Sequence, residues 1–147
     1  MKKLLVLFVI ASSSIFVSCS KDDDNGGGNE EKIVGKWEFS KEGSIVGGTE
    51  VLVDYENEAP ECGKDFIEFR ADNTASQVYY FLDFNDECDS DEETATYSIS
   101  GQNLNITANG ESGIVEILTL NNTTLKIKVT EEFEGETFVF ISVLNKI

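Results

Sequence analysis

The chain has no histidine, a single proline and few basic residues for its acidic content. Without histidine it lacks the commonest general base and the commonest ligand of transition metals. It holds 11 Lys and Arg residues against 28 Asp and Glu residues, which gives a formal net charge of −17. So negative a chain repels nucleic acid phosphates, and we therefore expect no nucleic-acid partner.

The usual catalytic motifs are missing as well. The sequence contains no G-x-S-x-G nucleophile motif and no phosphate-binding loop. A pair of carboxylates could still hydrolyse a glycoside, but among 28 acidic residues the sequence singles out no pair. We predict that the protein is not an enzyme and that it uses no cofactor.

Long apolar runs are absent except at the N terminus. Lys2 and Lys3 precede one apolar run, residues 4–11. A run this short is typical of a signal peptide, because a membrane-spanning helix needs about 20 apolar residues. We predict that residues 1–18 are a signal peptide that directs export from the cytoplasm.

The end of this leader carries a cysteine. The segment Phe16-Val17-Ser18-Cys19 resembles the bacterial lipobox, in which an apolar residue and a small residue precede a lipid-modified cysteine. Phe16 departs from the usual Leu. The resemblance implies that Cys19 carries acyl chains that anchor the protein to a membrane. An ordinary secretory signal with an incidental cysteine is the alternative.

A charged segment follows the cysteine. It consists of Ser20, Lys21, Asp22, Asp23 and Asp24. A Lys followed by acidic residues at this place resembles the lipoprotein export signal of Bacteroidetes, which implies an outer-membrane location with exposure at the cell surface. A solvated acidic tether is the alternative. Residues 25–31 are polar and rich in Gly, so we predict that residues 19–32 form a lipidated N terminus and a flexible linker.

Residues 33–147 have the pattern of an all-β domain. Short runs that alternate apolar and polar residues recur between turn residues, and no segment has a convincing helix pattern. The runs are 33–40, part of 45–55, 65–70, 75–84, 94–100, 104–108, 114–120, 124–130 and 137–144. Short connections favour antiparallel neighbours. We predict a small antiparallel up-and-down barrel of about eight strands, with a two-sheet β-sandwich as the alternative.

Two further cysteines lie inside this domain. Cys62 and Cys88 flank the third and fourth predicted strands. Since an exported protein meets an oxidising compartment, we expect a disulfide between them. The chain-entropy model gives about 3.5 kcal/mol of stability for a loop of this length. Two free thiols are the alternative, and neither thiol has a histidine to activate it.

Residues 83–93 are strongly acidic and form a candidate calcium site. Calcium prefers six to eight oxygen ligands, and Asp86, Asp89 and Asp91 are the candidate ligands here. The segment lacks the Gly and the spacing of an EF-hand loop. A solvated acidic loop is therefore the preferred interpretation, and we predict no metal.

Two segments carry a family resemblance. Ile33-Val34-Gly35-Lys36-Trp37 resembles the Gly-x-Trp opening of lipocalin-like domains, and residues 69–74 resemble a strand-to-turn step of small Bacteroidetes lipocalin-like lipoproteins. The resemblance implies that Gly35 permits close backbone approach and that Trp37 closes one end of a barrel. Asn73 stands where Gly is usual, and Asn also tolerates the left-handed conformation. Lipocalins place an Arg over the Trp, and here Lys146 is the candidate substitute.

Two functions remain open from the sequence. In the wider lipocalin group the barrel binds small apolar molecules, and ten Phe residues suit such a cavity. A barrel this small can also be filled by its own side chains. We therefore expect either a surface lipoprotein that binds a small apolar ligand, or a structural lipoprotein with a filled core that meets another envelope protein.

Overall fold

The computed structural model describes residues 27–147. The predicted signal peptide, the lipidation site Cys19 and the export segment from Ser20 to Asp24 lie outside these residues. The elements are α1 (Gly27–Ile33), β1 (Gly35–Val46), β2 (Thr49–Asp54), β3 (Phe66–Phe69), β4 (Thr74–Leu82), β5 (Cys88–Ser100), β6 (Asn103–Ala108), β7 (Glu111–Leu120), β8 (Thr124–Phe133) and β9 (Glu136–Lys146). No helix within residues 27–147 is long and apolar enough to cross a membrane.

Eight of the strands close into an antiparallel barrel. From β3 to β9 each strand pairs with the next, and β1 pairs with both β3 and β9. Because the β1–β9 pairing closes the sheet, most strands have a hydrogen-bonded neighbour on both sides. The predicted barrel is confirmed, and the sandwich alternative is wrong.

Strand β1 changes its partner halfway along its length. Residues 35–38 pair with β3, whereas residues 41–46 pair with β2, and β9 pairs with residues 37–44 on the other edge of β1. The register with β9 shifts between Phe39 and Lys41, which marks a β-bulge at Ser40. Bulges bend a strand and increase its twist. Beyond the bulge, β1 pairs with β2 and no longer with β3.

The barrel is therefore incomplete at one end. Strand β3 pairs with β4 only as far as Val78, so residues 79–82 of β4 pair with β5 alone. The connection between β2 and β3 crosses this region, and the Cys62–Cys88 disulfide joins it to the first residue of β5. The predicted disulfide is confirmed, with a Cα–Cα distance of 5.3 Å.

Tight turns connect the strands where the sequence predicts them. Asn109 and Gly110 have φ angles of 53° and 84°, as a two-residue hairpin between β6 and β7 requires. Asn73 has a φ of 65°, which places it in the left-handed conformation expected from the family resemblance. These positions fix the register of the flanking strands, because hairpin register follows the turn type.

The hydrophobic core fills the opposite end of the barrel. Alternate residues of the strands point inward, and the side chains of Trp37, Leu104, Leu125 and Leu144 are completely buried. Phe69 packs edge-on against Tyr97, with ring centroids 5.1 Å apart. Each large apolar side chain buried in this way contributes roughly 1.5–3 kcal/mol before entropy is counted.

Two segments differ from their predictions. Residues 27–33 form the short helix α1, although residues up to 32 were predicted to be linker and no helix was expected. Asn29 Nδ2 donates a hydrogen bond of 3.2 Å to the carbonyl of Gly101, so the helix lies on the closed end of the barrel. Strand β5 begins at Cys88, so residues 88–93 belong to a strand and not to an acidic loop.

Candidate functional site

The closed end of the barrel is built around Trp37. Its indole Nε1 donates a hydrogen bond of 2.6 Å to the carbonyl of Ile33 at the end of α1. Lys146 Nζ lies 4.9 Å from the centre of the Trp37 ring and donates to the carbonyl of Lys32 at 3.0 Å. This cation–π contact puts a basic side chain over Trp37, the position for which Lys146 was the candidate. Lys146 therefore covers Trp37 at the closed end.

Gly35 lies directly beside this contact. Its φ is 129°, a conformation that residues with a side chain rarely adopt. A Cβ atom at this position would lie 2.8 Å from Lys146 Cε. The Gly-x-Trp pattern therefore has a local physical reason: Gly35 leaves space for the lysine that covers Trp37.

The opposite end of the barrel encloses a cavity of about 1040 Å³. Its size is at the upper end of the range found for small-molecule sites in proteins. Six aromatic residues line it: Phe39, Tyr55, Tyr79, Tyr80, Phe81 and Phe140. The aliphatic part of the lining consists of Leu82, Ile127, Val129 and Ile141. Side chains therefore fill the closed half of the barrel, and the cavity occupies the open half.

Three of the aromatic rings form one wall. The ring of Phe39 stacks on Tyr55 with centroids 5.0 Å apart, and on Tyr79 with centroids 6.4 Å apart. Phe39 comes from β1 just before the bulge, Tyr55 follows β2, and Tyr79 is on the part of β4 that β3 does not reach. The change of partner along β1 therefore brings this wall together.

Asp65 fixes the position of that wall. It is 3% exposed, and its Oδ1 accepts a hydrogen bond of 2.9 Å from the amide of Tyr80. Its Oδ2 accepts from the Tyr55 hydroxyl at 2.6 Å. The amide of Phe39 donates to the Asp65 carbonyl at 3.1 Å. On the edge of β4 that β3 does not reach, Asp65 therefore accepts the backbone hydrogen bond that a neighbouring strand would otherwise accept. The same side chain holds the stacked rings in one arrangement.

The tyrosines of the wall resist ionisation. Burial raises the pKa of Tyr55, and the hydrogen bond to Asp65 raises it further. Burial also raises the pKa of Tyr79, with smaller contributions from the charges of Glu93 and Asp65. Both hydroxyls therefore stay neutral at physiological pH, and both lie in a negative field.

Two polar side chains line a small void that borders the main cavity. Gln77 and Glu93 are paired across β4 and β5, and the void has a volume of about 20 Å³. Gln77 is 2% exposed, and its Nε2 has no hydrogen-bond partner. Glu93 also lines the main cavity, and its buried Oε2 has no partner either. This region therefore contains two buried polar atoms that have no hydrogen-bond partner.

The calcium candidates are spread along the chain. Asp86 lies in the turn before β5 with a φ of 60°, whereas Asp89 and Asp91 lie on β5. Within residues 27–147, no group of three or more His, Cys, Asp or Glu side chains is arranged to hold a metal ion. Asp91 is the one candidate of the three that lines the cavity.

Sequence reasoning did not find the cavity residues. Tyr79 and Phe140 are in runs whose inward and outward faces were ambiguous, because nearly every residue of those runs is apolar or aromatic. Asp65 gives no signal in the sequence, since its role depends on the partner change of β1. Glu93 was not singled out because it belongs to the acidic run 83–93, which was predicted to be a loop and not part of a strand.

Comparison with known proteins identifies the class. A family model described as a lipocalin-like domain matches residues 33–127, which is more than half of the chain. The chain therefore belongs to the lipocalin-like domain family. No curated protein sequence matches the chain at a significant level.

Solved structures with a similar fold come from bacteria and from mammals. A lipocalin-like protein from Bacteroides uniformis is 17% identical, with a TM-score of 0.49, and the match covers 79% of this chain and 99% of that one. The bovine lipocalin allergen Bos d 2 is 18% identical, with a TM-score of 0.47, and the match covers 81% of this chain and 75% of the allergen. An uncharacterized protein from Bacteroides eggerthii is 13% identical, with a TM-score of 0.48, covering 78% and 98%.

Proposed function

We propose that this protein is a cell-envelope lipoprotein whose barrel binds a small apolar ligand in the cavity at its open end. The observation that carries the proposal is the aromatic and aliphatic lining of a cavity of about 1040 Å³. Apolar concave sites with a few polar groups are the usual small-molecule sites of proteins. The alternative, a purely structural lipoprotein, needs no such cavity.

A neutral fluorescent probe tests the binding proposal. N-phenyl-1-naphthylamine gains fluorescence in an apolar site, and we expect saturable binding to the folded protein. Val129→Trp would place a large ring in the cavity and should abolish binding. Ile114→Trp is the matched control, because Ile114 is 64% exposed on β7 and does not line the cavity. Equal binding by both variants would place the probe elsewhere and contradict the proposal.

The lipoprotein part of the proposal rests on the sequence. Cys19 would receive the acyl chains, and the segment from Ser20 to Asp24 would direct the protein to the outer face of the outer membrane. The polar residues before α1 would then separate the barrel from the membrane. In this arrangement the protein would meet small ligands or envelope proteins at the cell surface.

Two measurements separate anchoring from export. Labelled fatty acid should be incorporated into the wild-type protein but not into the Cys19→Ala variant. Protease added to intact cells should remove the domain, whereas a variant with Asp22, Asp23 and Asp24 changed to Asn should be protected until the cells are lysed. A wild-type domain that is protected on intact cells would rule out surface exposure.

A further inference from the structure

The charges around the cavity are all of one sign. Besides the buried Asp65, the acidic residues that line it are Glu42, Glu56, Glu58, Asp91, Glu92 and Glu93. No Lys or Arg belongs to the lining formed by residues 27–147. An apolar cavity with this border produces a negative potential, which low-dielectric walls focus rather than screen.

Seven of the eight basic residues within residues 27–147 make contacts outside the cavity lining. Lys41 pairs with Asp54, Lys64 with Glu38, Lys126 with Glu50, and Lys128 with Glu116. Lys36 lies over the Phe66 ring, and Lys146 covers Trp37 at the closed end. Arg70 lies 3.8 Å from Glu92, so that rim carboxylate is partly compensated. The carboxylate of Glu93 has no basic partner among the described residues.

Glu93 differs from the rim acids by its burial. Its Oε2 is shielded from solvent and lacks a hydrogen-bond donor, which is costly for a carboxylate. The adjacent Gln77 is neutral, is 2% exposed and also lacks a partner for its Nε2. The unpartnered carboxylate oxygen of Glu93, in the lining of an apolar cavity, indicates that a positive ligand group completes this site.

We propose that the ligand is an apolar cation, such as an alkyl or aryl amine, whose positive group lies near Glu93 and whose apolar body contacts the aromatic wall. This inference rests on the proposed function and specifies its ligand class. A positive group would pair with the carboxylate, and the faces of Phe39, Tyr55 and Tyr79 would attract it as well. An apolar anion such as a fatty acid would place its carboxylate against this field.

Three ligands that share a ten-carbon chain but differ in the charge of their head group test whether the cavity prefers a cation. Decyltrimethylammonium, decanol and decanoate, each below its micelle concentration, would compete with N-phenyl-1-naphthylamine for the full mature protein. We expect the cation to displace the probe at a concentration about tenfold or more below that of decanoate, because a charge contact in a partly dry site is worth at least this factor. Decanol should lie between them.

Variants of the cavity acids then test which carboxylate contacts the positive group of the ligand. Glu93→Gln should remove most of the advantage of the cation over decanol, measured as the ratio of their displacement concentrations in the same variant. Glu111→Gln is the matched control, because Glu111 is an exposed acid on β7 outside the cavity. If Glu93→Gln fails to fold, Asp91→Asn serves as the second variant on the same strand, with a smaller expected effect. Retained cation preference in both variants would overturn the role of the cavity acids.

The outcomes distinguish the two proposals. Decanoate binding as tightly as the cation, with decanol also bound, would overturn the cationic ligand and leave the binding function intact. Failure of the probe and all three ligands to bind would contradict the proposed function itself. Cation binding that persists in Val129→Trp would show adsorption to the acidic surface and would also overturn the inference.

Discussion

The hydroxyl of Tyr55 donates a hydrogen bond of 2.6 Å to the buried carboxylate of Asp65, at the point where β1 has exchanged β3 for β2. The same carboxylate accepts from the amide of Tyr80. One side chain thus connects the end of β2 to an edge of β4 that no strand covers. The connection lies in the lining of the cavity, at the end of the barrel where β3 no longer pairs with β4.

Loss of this carboxylate should destabilise the protein. Asp65→Ala leaves the Tyr55 hydroxyl and the Tyr80 amide without their acceptor, and we expect a loss of about 2–4 kcal/mol in the free energy of unfolding. Tyr55→Phe removes one of these bonds and should cost about 1–2 kcal/mol. Urea denaturation measures both. A loss below that of the exposed-site control Asp89→Asn would show that Asp65 does not hold the wall.

The buried tyrosines predict a loss of stability in alkali. The pKa of Tyr55 and of Tyr79 is raised in the folded protein, so the folded state keeps their protons when the unfolded state releases them. Stability should be unaffected by these groups below about pH 10 and should fall above it, by up to about 1.4 kcal/mol per pH unit for each tyrosine. Urea denaturation across this range measures the slope.

A variant assigns that slope to its residue. Tyr79→Phe should make the decline above about pH 10 shallower and leave the slope near neutrality unchanged. An identical decline in wild type and variant would contradict the assignment.

The closed end should tolerate little change. Trp37→Ala removes a completely buried ring together with its hydrogen bond to Ile33, and we expect a loss of about 3–5 kcal/mol. Phe84→Ala is the control, because Phe84 is fully exposed and should change stability by less than about 0.5 kcal/mol. Thermal and urea unfolding of the two variants would reveal whether Trp37 is structural; similar values for both would refute this role.

The disulfide should stabilise the mouth of the cavity. Replacing both Cys62 and Cys88 by Ser opens the covalent loop, and the chain-entropy model sets the loss at about 3.5 kcal/mol. Reduction of the wild-type protein should lower its unfolding midpoint to that of the double variant. The double variant itself should not respond to the reductant, and a wild-type midpoint that ignores the reductant would contradict the prediction.

The sequence predicts the strands and their turns well because local rules determine them. Alternation such as Leu104, Ile106 and Ala108 specifies a strand with one dry face, and Asn109-Gly110 specifies a tight hairpin. The acidic start of β5 was missed because Asp and Glu are poor strand formers, and only pairing with β4 places them in the sheet. The helix α1 was missed because its Gly-rich start resembles a linker.

The cavity could not be predicted because it depends on distant contacts. Phe39, Tyr55 and Tyr79 meet only through the partner change of β1 and the hydrogen bonds of Asp65. The closed end was easier to predict, since Gly35 and Trp37 form a compact motif and Lys146 follows from the family pattern. Local motifs therefore revealed the scaffold, whereas the candidate site emerged from long-range packing.

Native mass spectrometry of the mature Cys19→Ala protein, purified without detergent, tests the central claim most directly. The structure has space for a ligand in its open end, so we predict an additional mass that is lost on denaturation, or uptake of a small apolar compound from a cell extract. The Val129→Trp variant should carry no such mass. A bare protein mass in the wild type, with no uptake from the extract, would contradict ligand binding by this barrel.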